Sequence, residues 1–202
     1  RRSISDIQLY INIYINTVAS IPCVIRPRCY NRGVQIIEDS IDTEYFMIRV
    51  AINGFGRIGR GFMRAASKDP EVEVVAVNDL GDLENLAYLL KHDTVYGKAP
   101  FTVEVADGSL MVGGRKVAFL QVKDPATLPW KDMNIDVVVE STGMFTDFEK
   151  AHVHVEAGAR RVVISAPAHG EHEVGEHPSG ATVLMGINEE KLGDCVVSSN
   201  AA

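Results

Sequence analysis

Apolar runs alternate with stretches of helical spacing along the chain from Ile48 onward. Ile48–Asn53 and Val72–Asn78 are short and rich in β-branched residues, which predicts two strands. The second run is almost continuously apolar, as strands buried on both faces of a parallel sheet are. Ile58–Ser67 and Leu83–Lys91 carry apolar residues three and four positions apart, so we expect each of them to be a helix.

The spacing changes after the second predicted helix. Phe101–Val105, Leu110–Val112 and Lys116–Gln121 are short strand-like segments, and Asp107-Gly108 and Gly113-Gly114 separate them. Dipeptides of this kind favour tight hairpin turns. We therefore expect a small antiparallel insertion at this point.

The alternation then resumes. Asp136–Glu140 is predicted as a buried strand, and Phe148–Ala157 as a helix that Thr146 or Asp147 caps and Gly158 ends. Further strands are predicted at Arg161–Ser165, Thr182–Met185 and Cys195–Ser198. This order of elements predicts an α/β fold, a doubly wound and mostly parallel sheet with right-handed crossovers.

A Gly-x-Gly-x-x-Gly sequence joins the first predicted strand to the first predicted helix. Gly54 permits a sharp turn, Gly56 lets a pyrophosphate approach the backbone, and Gly59 lets the helix pack closely on the strand. Asp79 follows Gly59 by 20 residues and can accept hydrogen bonds from an adenosine ribose. This context indicates a dinucleotide-binding Rossmann domain, and the charge of Asp79 favours NAD over NADP.

Composition narrows the possible partners. The net charge of −7 argues against a general nucleic-acid surface. Three cysteines make no disulfide framework, which favours a reducing compartment and a cytoplasmic location. No apolar run approaches the ~20 residues of a membrane-spanning helix, so we expect no membrane partner.

Residues 1–46 differ in composition from the rest of the chain. They hold ten isoleucines, no lysine and a single glycine. We interpret them as an unassigned leader, either disordered or an artefact of the gene model. A targeting role is the less favoured alternative, because Asp6 and the acidic residues at 38–44 are unlike a transit peptide. Residues 47–202 are predicted to form the NAD-binding domain.

Several segments together are more specific than the glycine sequence. In order, Ala51–Arg60, Asn78-Asp79, His92–Gly97, Val138–Gly143, Val163–Pro167 and Ser199–Ala201 closely resemble the amino-terminal half of phosphorylating glyceraldehyde-3-phosphate dehydrogenase. The resemblance runs from Met47 to the last residue. It implies an oxidoreductase of glycolysis that converts glyceraldehyde 3-phosphate to 1,3-bisphosphoglycerate with NAD and phosphate. Erythrose-4-phosphate dehydrogenase is a related alternative, which Asn78-Asp79 and Ser165–Pro167 disfavour.

The resemblance also implies roles for individual residues. Arg57 and Ile58 would cover the pyrophosphate of NAD through their backbone, and Asn78 and Asp79 would hold the adenosine ribose. Lys123 stands where the family usually has an arginine beside the adenine. The full set of expected cofactor-binding residues is Asn53, Gly54, Phe55, Gly56, Arg57, Ile58, Gly59, Asn78, Asp79, Lys123, Ser141, Thr142 and Gly143.

No catalytic residue is expected within the sequence. The family's nucleophilic cysteine would follow Ala202, and its catalytic domain would lie beyond. Cys195 is interpreted as a small buried hydrophobic residue. A non-catalytic NAD-binding fragment is therefore a further alternative, and the parent protein is expected to be a homotetramer.

The histidines do not indicate a metal site. The segment from His169 to His177 lacks metal-ligand spacing, and its glycines oppose a helix, so we expect a solvated loop. His152 and His154 lie two positions apart on a predicted helix and cannot share a face. We expect both to be surface or partly packed residues.

Overall fold

The structure is a computed structural model that describes residues 47–70, 72–168, 180–183, 187–188 and 195–200. Its strands, in chain order, are β1 (Ile48–Asn53), β2 (Val72–Asn78), β3 (His92–Asp93), β4 (Gly97–Lys98), β5 (Val103–Ala106), β6 (Ser109–Val112), β7 (Arg115–Leu120), β8 (Val137–Glu140), β9 (Arg161–Ile164), β10 (Gly180–Val183) and β11 (Val197–Asn200).

In the described part of the chain, three α-helices connect these strands: α1 (Arg57–Ala66), α2 (Leu83–Lys91) and α3 (Phe148–Glu156). Asp82 caps α2 by accepting a hydrogen bond from Asn85 N, and Asp147 caps α3 by accepting one from Glu149 N. A short 3₁₀ helix spans Pro125–Thr127. Among the described residues, no helix is both long and apolar enough to cross a membrane.

Nine of the eleven described strands form one sheet in the order β10-β11-β9-β8-β1-β2-β7-β6-β5, which confirms the predicted α/β fold. Strands β2, β1, β8 and β9 run parallel to their neighbours, with Ile52 beside Val77 on one side and Val139 on the other. The strand order reverses between β1 and β8. A crevice opens at the carboxyl ends of strands at such a switch point, and ligands of doubly wound sheets bind there.

The predicted small antiparallel insertion is present, and its strands extend the main sheet. The first half of β7 pairs antiparallel with β6, with Leu110 beside Val117, and its second half pairs parallel with β2, with Ala76 beside Ala118. The turns at Asp107-Gly108 and Gly113-Gly114 have positive φ, as expected for such hairpins. The short β3–β4 hairpin was not predicted.

The element bounds differ from the sequence predictions by one or two residues in several places. Helix α1 begins at Arg57 rather than Ile58, and β8 begins after Asp136. The Asp136 carboxylate accepts a hydrogen bond from Arg49 N, so this residue anchors β1 from outside the strand. The last two strands begin at Gly180 and Val197 rather than at Thr182 and Cys195, while residues 184–186 lie outside the described part of the chain.

Hydrophobic cores lie on both faces of the sheet, which is why its central strands are continuously apolar. Val50 and Ile52 of β1 face a core with α1 and α2, whereas Ala51 faces a second core with α3 and Trp130. Both faces of β1 are therefore covered, and its carboxyl end is the part that can meet a ligand.

Candidate functional site

The turn between β1 and α1 depends on glycine at two positions. Gly54 has a φ of 94°, and a Cβ at this residue would lie 2.6 Å from Thr142 N. A Cβ at Gly59 would lie 2.2 Å from the carbonyl oxygen of Gly54. The turn therefore lies against the chain that follows β8 and against its own helix, and neither glycine position has room for a side chain.

The amino-terminal end of α1 is open. Gly56 is its N-cap and supplies no side-chain cap, and the first turn of the helix contains no acidic residue. A Cβ at Gly56 would meet no atom within 4 Å, and Arg57 and Ile58 are exposed beside it. The free N–H groups and the dipole of such a helix end favour a phosphate. This geometry fits the pyrophosphate of a dinucleotide.

Asp79 connects the glycine turn to the loop after β2. Its Oδ2 accepts a hydrogen bond from Phe55 N at 2.6 Å, and its Oδ1 accepts one from Gly81 N at 2.7 Å. The residue is partly exposed, and each carboxylate oxygen has a second lone pair. Asp79 therefore fixes the turn and can still accept hydrogen bonds from a ligand.

The guanidinium of Arg60, in the first turn of α1, contacts the glycine turn. Arg60 Nη1 donates a hydrogen bond to the Phe55 carbonyl oxygen at 2.8 Å. Burial lowers the pKa of the Arg60 guanidinium from its ordinary value, while the Asp93 and Asp79 carboxylates oppose that shift. An arginine remains charged despite such a shift, because its ordinary pKa is so high. The charged guanidinium of Arg60 in α1 therefore contacts the backbone of the glycine turn.

Asn78 and Asn53 are buried between the strand ends. Asn78 Nδ2 donates to Asn53 Oδ1 at 2.7 Å and to the Val122 carbonyl oxygen at 2.9 Å, and its Oδ1 accepts from Val122 N at 2.9 Å. The side chain of Asn78 is only 5% exposed. It joins the ends of β1, β2 and β7, so it shapes the site from inside the protein.

The structure corrects the prediction for His154. This side chain is fully buried rather than at the surface or partly packed, because α3 packs the face that carries Phe148, Ala151 and His154 against the sheet. Its Nε2 lies 3.1 Å from Glu140 Oε2, and its Nδ1 lies 3.1 Å from Trp130 Nε1. His152 is partly buried, as expected. The buried Glu140–His154 pair was missed by sequence reasoning.

The segment after β8 lies against the glycine turn. Ser141 N donates to the Asn53 carbonyl oxygen at 2.7 Å, and Ser141 Oγ donates to the Gly54 carbonyl oxygen at 2.6 Å. Thr142 and Gly143 are exposed, and Gly143 has a φ of 77°. Ser141–Gly143 therefore lies at the switch point between β1 and β8, where the wall of a ligand crevice is expected in a doubly wound sheet.

The structure brings together all but one of the predicted cofactor-binding positions. Asn53–Gly59, Asn78-Asp79 and Ser141–Gly143 meet at the carboxyl ends of three adjacent strands. Lys123 is exposed and follows Val122 at the end of β7, one strand further along the sheet. Val122 is hydrogen-bonded to Asn78, so Lys123 directly follows a residue that contacts the site.

Other candidate chemistry lies outside this site. Over the residues that the structure covers, no three His, Cys, Asp or Glu side chains are grouped so as to hold a metal ion. The segment 169–177 falls outside those residues. Cys195 is buried just before β11, as expected of a small hydrophobic residue.

Known proteins match most of the chain. The family model described as the NAD binding domain of glyceraldehyde 3-phosphate dehydrogenase matches residues 48–148, half of the sequence. The glyceraldehyde-3-phosphate dehydrogenase of Thermotoga maritima is 49% identical over 148 residues, which cover 72% of this chain and 42% of that protein.

Two further relatives match the chain with similar identity and coverage. The glyceraldehyde-3-phosphate dehydrogenase of Geobacillus stearothermophilus is 48% identical over 144 residues, 71% of this chain and 41% of its own length. The cytosolic glyceraldehyde-3-phosphate dehydrogenase of Leishmania mexicana is 44% identical over 156 residues, 77% of this chain and 45% of its own length. The chain spans less than half the length of these relatives.

Proposed function

The chain belongs to the glyceraldehyde-3-phosphate dehydrogenase family, and we propose that residues 47–202 supply the NAD-binding part of an enzyme of that activity. The complete protein would oxidise glyceraldehyde 3-phosphate to 1,3-bisphosphoglycerate with NAD and phosphate. The observation that carries this proposal is the open amino-terminal end of α1 at the switch point between β1 and β8.

On the adenosine side, Asp79 accepts the ribose hydroxyl groups with the lone pairs that Phe55 N and Gly81 N leave available. Its negative charge disfavours a 2′-phosphate, which selects NAD over NADP. Asn78 contributes by holding the ends of β2 and β7 together. Lys123, three residues after the end of β7, contributes positive charge beside the adenine.

Around the pyrophosphate, Gly54 and Gly56 allow the backbone to approach, and Phe55, Arg57 and Ile58 present their main chain to it. The exposed position of Gly56 and the open space around it support this role. Gly59 keeps α1 close to β1, so its contribution is structural.

On the far side of β1, Ser141–Gly143 borders the rest of the dinucleotide. Thr142 and Gly143 are exposed there, while the Ser141 hydroxyl group donates a hydrogen bond to the Gly54 carbonyl oxygen. The cofactor supplies the hydride acceptor of the reaction. Residues 47–202 would hold and orient it, and we assign no catalytic side chain among the described positions.

For the whole protein we propose a cytoplasmic homotetramer that acts on a phosphorylated aldehyde. A tetramer can be tested by sedimentation of the parent protein. A dimer or monomer at working concentration would contradict this part of the proposal.

The test of the proposed function is calorimetric titration of NAD and NADP into the 202-residue chain, its Asp79→Asn variant and an Asp107→Asn control. Asp107 is exposed in a turn remote from the site. We expect saturable NAD binding, weaker NADP binding, and a loss of that preference in Asp79→Asn alone. A chain that unfolds cooperatively yet binds no NAD would refute the proposal.

A further inference from the structure

A continuous run of buried hydrogen bonds crosses the carboxyl ends of the strands and continues into α3. It passes from Asn78 to Asn53, Glu140, His154 and Trp130, and none of these side chains is more than 5% exposed. Buried carboxylates are costly unless they are fully hydrogen-bonded. Hydrophobic packing alone does not explain why the core contains a buried carboxylate and the four other buried side chains of this network.

Glu140 is saturated with donors. Its Oε1 accepts from Thr142 N at 2.8 Å and from the Thr142 hydroxyl group. Its Oε2 accepts from Asn53 Nδ2 and from His154 Nε2, the latter at 3.1 Å. These four donors occupy the four lone-pair directions of a carboxylate. Two of them belong to Thr142, which is exposed in the wall of the crevice.

The partners of His154 define its protonation state. The indole Nε1 of Trp130 can only donate, so the imidazole Nδ1 must accept its hydrogen bond. The ring proton then lies on Nε2 and points to Glu140 Oε2, and the imidazole is neutral. Trp130 thus fixes the tautomer in which His154 donates to the carboxylate.

We infer that His154 is a positioning residue for the cofactor: through its hydrogen bond to Glu140 it sets the position of Thr142, and so shapes the β8 side of the crevice. The inference rests on the proposed function. Asp79 and the adenosine lie on the β2 side of β1, whereas Thr142 lies on the β8 side. His154 therefore acts on the part of NAD beyond the adenosine diphosphate.

The link from Glu140 to the ligand site is short. Thr142 also accepts a hydrogen bond from Met144 N at 3.0 Å, so its hydroxyl group joins Glu140 to the next turn of the chain. A Cβ at Gly54 would contact Thr142 N, which leaves little room for Thr142 to move toward β1. Without the hydrogen bond from His154, the Glu140 carboxylate could move, and Thr142 could then shift away from β1 toward solvent.

The test compares NAD with ADP, which carries only the adenosine and pyrophosphate half. Both are titrated into the wild-type chain, His154→Leu and His154→Gln. We expect His154→Leu to weaken NAD binding about 10-fold, as for loss of a hydrogen bond to a charged group, and to leave ADP binding unchanged. A glutamine amide can accept from Trp130 and donate to Glu140, so His154→Gln should recover most of the NAD affinity.

His152→Gln is the matched control on the same helix, because His152 lies outside the network, and it should leave both affinities unchanged. Thr142→Val, at an exposed position, provides a second test if His154→Leu does not fold, and it should also weaken NAD selectively. Equal losses for NAD and ADP, or no loss for NAD in folded His154→Leu or Thr142→Val, would overturn the inference. Failure of the wild-type chain to bind either ligand would instead refute the proposed function.

Discussion

At the scale of single residues, the turn after β1 needs glycine for two different reasons. Gly59 is needed for close packing, and Gly56 is needed for access of the ligand to the backbone. A Cβ at Gly59 would collide with the Gly54 carbonyl oxygen, whereas a Cβ at Gly56 would enter open space. We expect Gly59→Ala to lower the free energy of unfolding by about 1–3 kcal/mol, since backbone must shift to admit it. Gly56→Ala should stay within about 1 kcal/mol of the wild type, the scale of an N-cap change, and weaken NAD binding.

Urea unfolding and NAD titration of both variants measure these effects. The opposite pattern, a stable Gly59→Ala chain or a Gly56→Ala chain with full NAD affinity, would show that the turn has another geometry.

Tyr96 offers a second prediction at this scale. Among the described residues, its buried hydroxyl group has no hydrogen-bond partner. Burial, and secondarily the Asp93 carboxylate, raises the pKa of Tyr96 above 10.0. Tyr96→Phe removes the unpaired group and should leave the free energy of unfolding unchanged or raise it by about 1 kcal/mol. A clear loss of stability in urea unfolding would mean that the hydroxyl group has a partner in solution.

The positions that could be predicted are those that lie within one β–α–β unit. Gly54 and Gly59 belong to the turn after β1 and Asp79 follows β2, so their spacing indicated that they would lie close together. The hydrogen bond between Asn53 and Glu140 joins residues 87 positions apart, and only the fold brings them together. His154 was misjudged for the same reason, because helical spacing does not show which polar residue finds a buried partner.

At the scale of elements, α2 depends on its cap. Asp82 Oδ1 accepts a hydrogen bond from Asn85 N at 2.8 Å, which satisfies one of the free N–H groups of the first turn. We expect Asp82→Ala to lower the free energy of unfolding by about 1 kcal/mol. Asp82→Asn keeps an acceptor and is the matched control. Equal effects of the two substitutions in urea unfolding would show that charge, rather than the cap, is responsible.

Helices and central strands could be predicted because their apolar periods are strong. The bounds of α2 and of β1 and β2 agree with the prediction to the residue. The dual pairing of β7 could not be predicted, because an apolar run does not specify the direction of its neighbours. The two-residue strands β3 and β4 are too short to show any period.

At the scale of the whole molecule, the site exists because strands distant in sequence lie side by side. Glycine spacing located the turn after β1, but the strand order put β8 beside it and so added Ser141–Gly143. The resemblance to a family anticipated this grouping, which the residue pattern alone did not specify. The buried hydrogen bonds among Asn78, Asn53 and Glu140 join the ends of β2, β1 and β8. The site is therefore built directly on the buried core of the protein.

Acid stability is a property of the whole fold that Asp93 should influence. Burial alone would raise the pKa of Asp93, but the N–H groups of Tyr96 and Val95, together with Arg64 and Arg60, lower it below 3.8. The unfolded chain therefore takes up this proton at a higher pH than the folded chain does. The stabilisation is complete above pH 3.8 and is lost as the pH falls through the folded-state pKa.

Asp93→Asn keeps the acceptor for Val95 N and Tyr96 N but removes the charge. We expect this variant to be less stable than the wild type near neutral pH, and the difference to shrink on acidification below the ordinary pKa of aspartate. Urea unfolding across that pH range measures the difference, and Asp107→Asn controls for loss of an exposed charge. A difference that stays constant into acid would show that the Asp93 carboxylate has the same affinity for a proton in the folded and unfolded chains.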